Sequence, residues 1–153
     1  MAFRGTASYG KRQEYKAIAK LLELGYDVYA TLVDDQGIDC VIRLDHNRYL
    51  DVQIKARSKD NCQMKNRGFF PMLQINGVPR NNYYFVLYSE EIDTYWVIPS
   101  SVVLTMADAH RTNVSRVVSK KNGKTYYAVR CAGTKCNPLP QFNQYVNNFK
   151  LLV

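Results

Sequence analysis

Residues 48–56 (RYLDVQIKA) alternate so regularly between apolar and polar side chains that they predict a strand. Leu50, Val52 and Ile54 fall on one face, and Asp51, Gln53 and Lys55 on the other, because successive strand side chains point to opposite sides. The stretch before it, 38–44 (IDCVIRL), is also strand-like, and Asp45-His46-Asn47 between the two is turn chemistry, so they predict an antiparallel hairpin. Residues 26–33 (YDVYATLV) read as a further strand ahead of them. Residues 9–24 predict a helix: Tyr15, Ile18, Leu21 and Leu22 recur at helical spacing, while Lys11, Arg12, Lys16, Lys20 and Glu23 take the other positions. Ser8 is the expected N-cap and Gly25 the expected stop.

Beyond this block, 83–89 (YYFVLYS) and 95–98 (YWVI) predict two strands, Pro99-Ser100 leads into a short helix at 101–109, and 114–119 and 125–130 flank a Lys120–Lys124 turn. That turn contains Asn122-Gly123, the strongest short-range hairpin signal. A last helix is expected over 141–150. The fold class is therefore mixed α/β (α+β), a central mixed sheet flanked by helices, with a C-terminal β-hairpin and helix. At 153 residues the expectation is a single domain.

Several function classes drop out. No apolar stretch is long enough to span a bilayer. Met1-Ala2-Phe3-Arg4-Gly5 lacks the apolar run of an export signal, so a soluble, cytoplasmic protein is expected. Cys40, Cys62, Cys131 and Cys136, with His46 and His110, offer no zinc-ligand spacing and read as free thiols of a reducing compartment. Twenty-one Lys and Arg against thirteen Asp and Glu give +8 and a pI near 9.4. A surplus of that size on a small domain points to a polyanion, above all nucleic acid.

The polar face of 48–56 adjoins a strand carrying Asp39 between Ile38 and Cys40. Glu14 lies four, seven and eight residues before Ile18, Leu21 and Leu22, on the stripe the helix should bury. A carboxylate there needs a partner, a metal or a water-filled pocket. Glu14, Asp39, Gln53 and Lys55 could share such a pocket, and the set suits phosphodiester hydrolysis. Mg²⁺ takes oxygen ligands and keeps several waters, so Asp39, Glu14 and the Gln53 carbonyl suffice as ligands. Lys55 would orient the attacking water or neutralise charge developing on phosphorus. Asp51 is a reserve ligand at the rim, and Asp34-Asp35 reads as turn chemistry before Gly37. The bland alternative is a cross-strand ion pair of Asp39 with Lys55 on a solvated face.

The helix with Glu14, then Asp35-Gln36-Gly37-Ile38-Asp39, then Asp51-Val52-Gln53-Ile54-Lys55, resembles the PD-(D/E)xK nuclease superfamily, whose members include restriction enzymes, junction resolvases and some intron-encoded homing endonucleases. The resemblance covers residues 9–57. Ile38 stands where the proline would, and Gln53 replaces the usual acid, a QxK variant similar to that of some restriction enzymes and of a compact intron-encoded homing endonuclease of cyanobacteria. It implies a restriction-endonuclease-like core and an Mg²⁺-dependent DNA endonuclease, with Mn²⁺ able to substitute. It also implies a homodimer or homotetramer acting on double-stranded DNA, nucleoid-associated in a prokaryotic cytoplasm.

Two segments are candidates for reading the DNA. Arg57 and Lys59 lead out of the catalytic strand. The hairpin within 111–130 carries Arg116, Lys120, Lys121, Lys124 and Arg130, and a two-stranded ribbon fits the major groove. Its alternative is a merely solvated hairpin. For the whole chain the alternatives are a catalytically inactive nucleic-acid-binding module on the same fold, favoured by Gln53 in place of an acid, and a structure-selective nuclease of the junction-resolvase type.

Overall fold

A computed structural model describes residues 5–33, 36–75 and 80–153, with Thr6 described in its backbone only. The Asp34-Asp35 turn expected from the sequence, and the opening residues 1–4, lie outside the described residues. Helix α1 (Thr6–Glu23) is followed by strands β1 (Asp27–Ala30), β2 (Cys40–Arg43) and β3 (Tyr49–Arg57), a 3₁₀ turn (Met64–Asn66) and β4 (Phe69–Leu73). Then come β5 (Tyr83–Ser89), β6 (Thr94–Pro99), helix α2 (Ser100–Asp108), β7 (Val114–Val118), β8 (Thr125–Arg130) and two 3₁₀ turns (Pro140–Tyr145 and Phe149–Leu151).

The central sheet has five strands in the order β1-β2-β3-β5-β6. The β2–β3 hairpin forms as expected, with Cys40 opposite Val52 and Arg43 opposite Tyr49. Asp45 closes its turn by accepting the Asn47 N–H and the Arg48 guanidinium. Strand β5 runs parallel to β3, with Gln53 beside Phe85 and Lys55 beside Leu87. Every residue of β5 is buried, as a strand covered on both faces should be. On one face, Ala17, Ile18 and Leu21 of α1 pack on Ile42, Leu50, Val52, Ile54 and Val86. The opposite face (Tyr83, Phe85, Leu87, Trp96 and Ile98) meets α2 and a second sheet of order β4-β8-β7, through Val103, Phe70, Leu73, Tyr127 and Val129.

Four expectations need correction. The helix begins three residues early, with Gly5 as N-cap rather than Ser8, which lies inside it. Its buried stripe is Tyr9, Gln13, Ala17, Ile18 and Leu21, whereas Tyr15 and Leu22 are exposed. Strand β4 falls in a stretch to which the sequence pattern assigns no element; Pro71 hid it, and the pairing with β8 skips between Phe70 and Leu73 at an irregularity where Met72 has φ +66°. The last helix does not form. Pro140 opens a 3₁₀ turn, Asn147 adopts φ +49°, and its amide and side chain bond the Tyr95 backbone, so the tail covers the edge of β6.

The second sheet depends on a close approach at its root. The Gly68 carbonyl accepts the N–H groups of Cys131 and Ala132, and a Cβ on Gly68 would lie 2.8 Å from Ala132 backbone atoms. Gly68→Ala is expected to destabilise the protein by about 2 kcal/mol or more, because backbone cannot move aside as a side chain can; urea unfolding measures it, and an unchanged midpoint would refute this account of the junction.

Candidate active site

Strands β2 and β3 part company at Asp39. Its N–H donates to the Val52 carbonyl at 2.8 Å, although Val52 is already the ladder partner of Cys40. Two residues thus face one, the arrangement of a β-bulge, which bends the strand and re-aims a side chain. Beyond this point β3 has no strand on its β2 side. Asp39 supplies the missing partner itself: its Oδ2 accepts the Ile54 N–H at 2.6 Å. Further along, the Tyr9 hydroxyl of α1 donates to the Arg57 carbonyl at 3.2 Å.

The gap between this open edge and α1 is a cavity of about 200 Å³ lined by Tyr9, Glu14, Asp39, Lys55 and Arg57, among others. Glu14 is half-buried, with 17% of its side chain exposed, and its Oε1 accepts the Lys11 ammonium at 3.1 Å. The two acids act on the groups around them. Burial, with Asp39 and then Glu14 adding to it, pushes the neighbouring Cys40 thiol up to about 12. The hydrogen bond to Glu14, with a smaller pull from Asp39, raises Lys11 above its ordinary value. Among the described residues Lys55 takes part in no ion pair, and the cross-strand pairing of Asp39 with Lys55 does not form.

The structure therefore brings Glu14, Asp39 and Lys55 to one cavity but keeps Gln53 out of it. Gln53 is almost wholly buried and does not line it: its Nε2 donates to the Gly37 carbonyl at 2.9 Å and its Oε1 accepts the Gln74 N–H at 3.2 Å. The Tyr83 hydroxyl lies 2.9 Å from the same Gly37 carbonyl and 2.8 Å from that of Gln74. Strict alternation would have set Asp39 directly opposite Gln53; the bulge sets it against Val52 instead. Asp51, the reserve ligand, is bound instead by Arg80 at 2.5 Å. Tyr9 is the lining residue that helix phasing on Tyr15 and Leu22 missed; the i, i+4 series Tyr9, Gln13, Ala17, Leu21 carried the signal.

The basic residues divide as well. Arg57 donates to the Phe69 carbonyl at 2.6 Å, Arg130 donates to the Lys65 carbonyl at 2.7 Å and stacks on Phe69, and Arg116 pairs with Asp108 over the Tyr127 ring. Arg57 and Arg130 thus brace backbone carbonyls, whereas Arg116 is exposed in a surface pair. Lys59, Lys120, Lys121 and Lys124 are exposed. Nor is the 114–130 hairpin a free ribbon, since β8 is buried between β4 and β7.

Among the described residues no three His, Cys, Asp or Glu side chains gather as a metal cluster. The cavity's donor set still fits a hard cation that needs few protein ligands: two carboxylates, Asp39 and Glu14, beside the Ile54 carbonyl, which a strand presents on the same edge as its own N–H.

No family model matches the chain, and no curated protein does. Solved structures do share its fold. One is I-Ssp6803I, a bacterial homing endonuclease, with a TM-score of 0.55 and 17% identity over 97% of this chain and 91% of that one. Another is D212, a nuclease from a fusselovirus, with a TM-score of 0.51 and 16% identity over 91% and 90%. The likeness is one of fold, and it runs nearly end to end: the chain has a nuclease-type mixed α/β architecture.

The placement of Gln53 gives a pH test. In Gln53→Glu the new carboxyl meets the Gly37 carbonyl and must be protonated to donate to it, so its folded pKa is raised. The variant is then closest to wild type below about pH 4.3, and its deficit grows as pH rises towards the raised value. Urea unfolding at pH 4 and pH 8 checks this; a deficit independent of pH would mean that the amide is not clamping Gly37.

Proposed function

We propose that the protein is a DNA endonuclease whose catalytic residues are Glu14, Asp39 and Lys55. The observation that carries the reading is the convergence of these three on one cavity at the open edge of β3, in a chain that has the fold of two nucleases. The same arrangement supports a PD-(D/E)xK-type site in which Gln53 acts as a positioning residue, holding the 36–39 loop against β3 rather than entering the cavity.

Asp39 and Glu14, with the Ile54 carbonyl, would hold Mg²⁺, for which Mn²⁺ would substitute. When bound, the cation supplies Lewis acidity at the scissile phosphate. Lys55 places a positive charge in the same cavity, where it stabilises the charge that develops on the phosphoryl oxygens and orients the attacking water. Asp39 is held in position through Oδ2 by the Ile54 amide, and Glu14 by Lys11. One such site cuts one strand, so a double-strand break calls for two copies, and a homodimer or homotetramer acting on duplex DNA belongs to the same proposal. A homing role is its most specific form, supported by the likeness to I-Ssp6803I alone; a cytoplasmic, nucleoid-associated prokaryotic setting goes with it.

A second reading, a DNA-binding module without catalysis, is favoured by the absence of a three-ligand cluster among the described residues. Supercoiled plasmid separates the two. Wild-type protein with Mg²⁺ or Mn²⁺ is expected to nick or linearise it, and Asp39→Asn and Lys55→Ala to lower the rate by about 10²-fold or more. Binding without nicking by the wild type would favour the module, and full activity in both variants would move the active site elsewhere.

A further inference from the structure

We propose that the outward face of α1 binds the phosphate backbone of duplex DNA and feeds it into the adjacent cavity, an inference that rests on the nuclease reading above. Lys11, Arg12, Lys16 and Lys20 are all exposed on this helix, with Tyr15 exposed among them. The acids of α1 offset them only in part: Glu14 is half-buried and tied to Lys11, and Glu23 lies three residues beyond Lys20 in the last turn, so four cations face two acids. From Lys11 to Lys20 the helix rises about 13 Å, close to the rise of four nucleotides at about 3.4 Å each. Neutralising phosphates over such a length releases counterions and needs no base contact, which is the chemistry a row of surface lysines provides.

Two further observations make this a prepared surface. Arg12 sits over the Tyr9 ring at 5.4 Å and Lys11 over the Tyr15 ring at 5.8 Å, so both cations are steered before any ligand arrives. The surface is also continuous with the cavity. Tyr9, Gly10 and Glu14 line the cavity, while Ser8, Lys11, Arg12 and Tyr15 line an outer groove, so successive residues of the same turns serve both. A strand lying along this face would be led past Lys11 to Glu14. By contrast, the arginines of the 114–130 hairpin already have partners, Arg116 in an exposed pair with Asp108 and Arg130 on the Lys65 carbonyl.

The test is fluorescence anisotropy of a labelled duplex in EDTA, between 50 and 200 mM salt, with wild type, Lys16→Ala/Lys20→Ala, Arg12→Ala and Lys120→Ala/Lys121→Ala. The Lys16/Lys20 pair carries no internal contact, so folding is expected to be unchanged, with thermal unfolding as the check. Its affinity is expected to fall by about tenfold or more, and its log–log salt slope to become shallower by about 1.8, the share of two phosphates. Arg12→Ala should lose about half as much slope, and the hairpin pair less than either. Unchanged slopes in both α1 variants would overturn the proposal, as would loss of binding to anionic vesicles while duplex binding is retained. If the wild type binds but cuts nothing in Mg²⁺ or Mn²⁺, the nuclease reading fails and this surface stands; if it cuts and the α1 slopes are unchanged, this surface alone fails.

Discussion

The hydrogen bond from the Ile54 amide to the Asp39 carboxylate governs the centre of this molecule. Where β2 leaves β3, a strand edge loses its partner in a part of the protein that α1 would otherwise seal. An unsatisfied backbone N–H there costs about 1–3 kcal/mol, and a carboxylate at 2.6 Å removes that cost with a charge-assisted bond. The same bond fixes the acid at the mouth of a cavity. The bulge makes this possible, because Asp39 turns towards α1 only when Asp39 and Cys40 both address Val52. Stability and the proposed chemistry thus draw on one side chain, which limits how far either can vary without the other.

Strand β3 then works on both its faces. Leu50, Val52 and Ile54 bury against α1, while Gln53 ties the returning loop to the residues after β4 through both ends of its amide. A carboxylate could not do this, since it has no proton to give the Gly37 carbonyl. The close fit is visible at Gly37 itself, whose φ is +72° and where a Cβ would collide with the Gln53 Nε2. Amide, glycine and Tyr83 hydroxyl form one packed unit. This gives a physical reason for glutamine at the position where the resembled family usually has an acid: the side chain is solving a hydrogen-bonding problem in the protein interior.

Much of this was legible in the sequence, but the decisive turn was not. Period-2 alternation in residues 48–56, turn chemistry at 45–47 and the apolar run at 83–89 correspond to β3, its hairpin and the buried β5, because each pattern is local. The helix was legible, but its phase was misassigned. Tyr15 and Leu22 are large and apolar yet exposed, while the buried stripe uses Gln13 and Ala17, which carry little hydrophobic signal. The bulge at Asp39 left no mark that alternation could read, so Asp39 and Gln53 were expected on the same face. Strand β4 was hidden by Pro71, and the tail by a pairing with β6 that depends on tertiary contact rather than on helix propensity.

The distribution of charge follows from the same economy. Several arginines have partners within the chain: Arg67 on Glu91, Arg80 on Asp51, Arg116 on Asp108 at the surface, and Arg57 and Arg130 on backbone carbonyls. Guanidinium suits that work because its planar fork can satisfy fixed acceptors. Lys11, Lys16 and Lys20 of α1 and Lys120, Lys121 and Lys124 stay exposed, and a flexible, hydrated ammonium suits the phosphate contact proposed for α1 without demanding one register. Lys11 joins the two populations, since it belongs to the exposed row on α1 and also holds Glu14 at the cavity. A polyanion arriving on α1 would compete with Glu14 for that ammonium. On the proposed α1 surface, docking would thereby bear on the acidic pocket through a single side chain.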